Sequence, residues 1–138
     1  MNSHEEYTYI IHTNPNIIYT MVGAYERHDE IVRDMLVILS DIKAKRISGM
    51  IIDFRKVNNP LDHYEHIDLA NRTRLFFNDY TPTGWITDAA GAGHAGDMVR
   101  LLRDRGMNTR MFTSWAVLTK WLGCPRAADP SIKDTLEL

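Results

Sequence analysis

The chain has 138 residues, 44% of them hydrophobic and 25% charged, which fits one domain with a buried core and excludes extensive disorder away from the ends. Sixteen basic residues against eighteen acidic leave a net charge of −2, so no global field draws the protein to nucleic acid or to an anionic membrane. The longest apolar run, Met35 to Leu39, falls far short of the roughly 18 residues of a membrane span.

The first residues, Met1 to Glu6, are polar and acidic, where a secretory start is basic and then apolar. Cys124 is the sole cysteine, so no internal disulfide can form. A cytoplasmic protein is the expectation.

Tyr7 to His12 and Ile17 to Ala24 are rich in β-branched and aromatic residues and flank Asn14-Pro15-Asn16, which predicts a hairpin. A helix should begin near Asp29, with Ile31, Met35, Ile38, Leu39 and Ile42 on one face. Gly49 to Phe54 reads as a short buried strand, followed by a polar turn to Pro60. The next helix begins at Asp62, where Asp62 and Glu65 have capping-box spacing. Its inner stripe is expected at Tyr64, Ile67, Ala70 and Phe77.

Gly84 to Asp88 reads as a strand. A glycine-rich turn, Ala89 to Gly93, leads to a helix from about His94 to Arg105 with Ala95, Met98, Val99 and Leu102 inward. Gly106 ends it. Thr109 to Thr113 is the last strand, and Ser114 caps a final helix with Val117, Leu118, Trp121 and Leu122 inward. Gly123 and Pro125 stop that helix, and the tail from Arg126 shows no period, as in a mobile or partner-binding arm. The order β-β-α-β-α-β-α-β-α implies an α/β domain with a mixed five-stranded sheet, mostly parallel with right-handed crossovers. Its expected limits are residues 7–123, between a flexible start (1–6) and a C-terminal tail (124–138). The strand order stays open.

Three stretches carry a family resemblance: Gly49-Met50-Ile51-Ile52-Asp53-Phe54-Arg55; Asp97 to Leu102; and Arg110-Met111-Phe112 with Ala116 and Trp121-Leu122-Gly123. They resemble the STAS family, named for sulphate transporters and anti-sigma-factor antagonists, and within it the stand-alone SpoIIAA-like proteins. The resemblance implies a regulatory or protein-interaction module of that fold. It also implies a Ser or Thr phosphoacceptor at the start of the helix after the central strand. The matching segment, Asn58-Asn59-Pro60-Leu61-Asp62-His63-Tyr64, contains neither.

Gly91-Ala92-Gly93-His94-Ala95-Gly96 matches the letters of a dinucleotide fingerprint, but no acidic residue lies between Asp104 and Asp129 to hold a ribose. The remaining possibility there is an anion at the helix N-terminus. His63 and His66 share a helix face, yet two ligands do not make a zinc site. Arg100, Arg103, Arg105 and Arg110, interspersed with Asp97 and Asp104, read as a solvated face. No catalytic set, metal or cofactor is assigned.

Partner or ligand contacts are expected at the C-terminal edge of the strands, where open α/β sheets bind. The residues are Arg55, Asn58, Asn59, Asp62, His63, Gly91, Gly93 and His94. The partner is a protein of unknown identity or a second copy of the chain. The alternative is a small-molecule or anion-binding domain, with minor enzymatic activity at most, built on the Gly91–Gly96 turn.

Overall fold

The structure, a computed structural model, describes residues 8–22, 46–56, 62–76 and 81–131. The helix expected from Asp29 and the expected contacts Asn58 and Asn59 lie outside them. The elements are β1 (Thr8–His12), β2 (Ile17–Met21), β3 (Gly49–Asp53), α1 (His63–Phe76), β4 (Thr83–Ile86), α2 (Ala92–Asp104), β5 (Thr109–Phe112) and α3 (Trp115–Trp121).

The α/β architecture with a mixed five-stranded sheet is as expected. The strands lie in chain order, β1-β2-β3-β4-β5. β1 and β2 form the antiparallel hairpin, and β2 through β5 pair in parallel. The hairpin turn holds Asn14 at φ 53° before a cis Asn14–Pro15 peptide, and His12 Nδ1 lies 2.9 Å from Pro15 O.

Alternating residues feed two cores, as the period of two along a strand requires. Ile18, Met50 and Trp85 face α1 and α2, where they meet Leu69, Ala95, Met98, Val99 and Leu102. Ile17, Tyr19, Ile51 and Ile86 face the other way, onto Leu118, Leu122, Cys124 and Ala127. α3 packs closely because β4 carries Gly84 on this side. A Cβ there would lie 2.0 Å from Leu118 Cδ1.

The caps expected at Asp62 and Ser114 form, and Gly106 and Gly123 follow α2 and α3 at positive φ. Asp62 Oδ1 accepts from Glu65 N at 2.9 Å, and Glu65 Oε1 accepts from Asp62 N at 3.1 Å. Ser114 accepts from Val117 N. The α2 stripe is buried as expected, although the helix begins two residues earlier, at Ala92.

Two helix faces differ from expectation. Tyr64 is 82% exposed, because α1 turns His66, Leu69 and Ala70 inward instead. A polar residue occupies the interior there, which an apolar count cannot detect. Val117 is 55% exposed, since α3 buries Leu118 and Thr119. The Thr119 hydroxyl is satisfied internally by Trp115 O at 3.0 Å.

The described part of the tail is packed on the domain. Cys124 is fully buried and Ala127 nearly so, and Trp115 Nε1 donates to Ala127 O at 2.8 Å. Packing of the described residues onto the α3 face thus includes Cys124 and Ala127, beyond Gly123.

Candidate functional site

The N-terminal ends of α1 and α2 meet at the C-terminal edge of the sheet and leave an open cavity of about 660 Å³. α1 contributes His63 and His66 to its lining and α2 contributes Gly93, His94, Asp97 and Arg100, with Asp62 at the rim.

Asp97 organises this group. Its Oδ2 accepts from His66 Nδ1 at 2.8 Å and from His63 Nδ1 at 2.9 Å, and Arg100 donates to Oδ1. A carboxylate only accepts, so both imidazoles carry a proton on Nδ1. Burial alone would raise the Asp97 carboxyl, but the bonds from His63 and His66 outweigh it and hold the pKa below the ordinary range.

The orientation of His66 has a consequence. With Nδ1 committed to Asp97, a neutral ring presents a lone pair at Nε2. That atom is buried and has no partner among the described residues, although buried polar atoms are usually satisfied. The ring of His94 stands against it, centroids 5.9 Å apart at 71°.

The start of α2 is set by close packing. A Cβ on Gly91 would lie 2.7 Å from Thr87 Oγ1 and 3.2 Å from Phe54 O, so glycine lets the helix approach the strand ends. Gly91 N is held by Asp88 Oδ1 at 2.9 Å. No side chain caps the helix itself. A Cβ on Gly93 would meet nothing within 4 Å, and that residue faces the opening.

The structure therefore brings together Asp62, His63, Gly93 and His94 of the expected residues, and adds His66, Asp97 and Arg100. Gly91 is a buried spacer outside the lining. Among the described residues no group of three or more His, Cys, Asp or Glu side chains is placed to hold a metal.

Arg55 belongs to a second cluster on the α3 face. Its Nε and Nη2 donate to the buried Asp53 at 3.0 and 2.9 Å. Its Nη1 and Nη2 donate to Asp129 at 3.0 and 2.8 Å. Tyr19 OH donates to Asp53 Oδ2 at 2.6 Å, and the guanidinium lies 5.6 Å from the Trp115 ring centroid. Burial opposes the charge on Arg55, yet the bonds to Asp53 and Asp129 hold its pKa above the ordinary value. The Tyr19 hydroxyl is likewise pushed up, by burial first and then by its bond to Asp53. No described helix is long and apolar enough to cross a membrane.

Compared with protein-family models, with curated proteins and with solved structures, the chain has no significant match.

Proposed function

We propose that this domain is a STAS-like protein-interaction module that lacks the phosphoacceptor and engages its partner through the α1–α2 cavity and its rim. The observation that carries the reading is the pairing of exposed anchors with a buried unsatisfied atom. Tyr64 is 82% exposed and stands 6.3 Å from the ring of His63, which lines the cavity. Tyr and Arg are the residue types that concentrate binding energy in protein interfaces, and Arg100 stands on the same opening.

His66 lines the cavity beside the donors of the uncapped α2 terminus, and its acceptor Nε2, covered in the free protein, is reached by a partner that displaces that cover. A peptide group, with one N–H and one C=O, complements both. A simple anion fits less well. Asp62 and Asp97 outnumber Arg100, so the lining carries no positive excess while the histidines are neutral. The uncapped α2 amides still favour an anion as a second reading.

Affinity capture with the full chain as bait, against a His63→Ala/Tyr64→Ala variant, tests the proposal. A partner retained by the wild type and lost by a variant with an unchanged melting temperature supports it. Equal retention by both rejects this surface. A melting temperature raised by inorganic phosphate, and by no captured protein, would favour the anion reading.

A further inference from the structure

The Arg55 cluster lies on the other face of the sheet and bears on a separate event. All of its framework precedes the tail: Tyr19 on β2, Asp53 at the end of β3, Arg55 just beyond it, and Trp115 at the start of α3. Within this framework Asp53 holds the guanidinium by hydrogen bonds. It accepts from Nε and Nη2 and also from the Arg55 backbone N–H, at 3.0 Å. Trp115 lies against the guanidinium at a distance suited to cation–π attraction. One fork of the guanidinium is thereby committed. The other, Nη1 with Nη2, presents the bidentate geometry that a carboxylate matches.

In the structure that fork holds Asp129. Ser131 adds a hydroxyl at 3.2 Å from Nη1 and bonds Asp129 Oδ1 through its own N–H, at 3.0 Å. Two observations mark Asp129 as an exchangeable occupant. The charge of Arg55 is already compensated by Asp53, so the departure of Asp129 leaves no buried unpaired cation. Among the described tail residues the buried apolar ones, Cys124 and Ala127, precede Asp129, and Ala128 beside it is exposed. The cluster sits at the C-terminal ends of parallel strands, the edge that open α/β sheets use for ligands.

We infer that Arg55, Asp53, Tyr19 and Trp115 form a carboxylate-recognition site, occupied in cis by Asp129, that accepts an acidic peptide from another molecule when residues 128–131 withdraw. The tail is then an internal competitor. It keeps the site closed to weak ligands and yields it to an aspartate-containing segment of higher affinity or local concentration. This site is independent of the α1–α2 cavity.

The test uses a fluorescein-labelled peptide of residues 126–131, Arg-Ala-Ala-Asp-Pro-Ser, and fluorescence anisotropy. The protein is the full chain, as wild type and as Asp129→Ala, each checked by circular dichroism to be folded at the assay temperature. The expected result is binding to Asp129→Ala at least about tenfold tighter than to wild type, because the cis competitor is gone. A peptide carrying Asn in place of its Asp should not bind. That control keeps Arg55 in the protein, so it does not depend on an arginine variant that could misfold. No binding to Asp129→Ala, equal binding to both proteins, or equal binding of the Asn peptide would each overturn the proposal.

Discussion

His66 Nδ1 lies 2.8 Å from Asp97 Oδ2, and this bond lets a histidine occupy the interior between α1 and α2. The same carboxylate holds His63 at the rim, so it links a buried ring to an exposed one.

Removing the acceptor should expose the cost of that burial. Asp97→Ala leaves the Nδ1–H of a buried ring unpaired and should destabilise the fold by about 1–3 kcal/mol. In a His66→Leu background the same substitution should cost markedly less, since the orphaned donor is gone. Urea denaturation of the four proteins gives the coupling energy. Additive effects would show that the bond does not support the α1–α2 packing.

Gly84 and Leu118 form a second coupled pair. Gly84→Ala drives a methyl group against Leu118 Cδ1, a fully buried atom group. Overpacking of this kind costs about 1–3 kcal/mol. Leu118→Ala alone should cost about 2–5 kcal/mol through the cavity it leaves. With Leu118→Ala in place, Gly84→Ala should become neutral or stabilising, because it fills part of that space. Thermal denaturation reads the reversal of sign, and its absence would contradict the α3 docking described above.

The tail contact should weaken in acid. Burial by itself would raise the Asp129 carboxyl, but the Arg55 guanidinium and the N–H and hydroxyl of Ser131 hold its pKa below the ordinary range. A carboxyl depressed in the folded state adds stability above the unfolded value, about 4. That contribution disappears as pH falls through the lower folded value. Wild type should therefore lose more stability than Asp129→Asn between about pH 5 and pH 2.5. Urea midpoints across that range measure the difference, and parallel curves would remove Asp129 from the acid response.

The local signals were legible in the sequence. The capping pair Asp62 and Glu65, the cap at Ser114, the α2 stripe and the hairpin around Pro15 all rest on residues a few positions apart. What local pattern could not convey was rotation and distance. Tyr64 looked internal because His66, a polar residue with a distant partner, was not counted among the buried positions. His63 and His66 were visible as a shared face, but Asp97, which unites them, sits on another helix. The tail looked unanchored because the bond from Arg55 to Asp129 leaves no trace in any short window. The loop at Asn58 and Asn59 lies outside the described residues.

The sheet order has a consequence for synthesis. Each strand lies beside its predecessor in the chain, so no strand must be threaded between two that have already paired. The sheet can grow from β1 outward as the ribosome delivers it, one edge at a time. The exception is the link from Arg55 to Asp129, which spans 74 positions. Arg55 emerges early and meets its carboxylate only after α3 has been made, so closure of this contact waits until β4, α2, β5 and α3 have all been delivered.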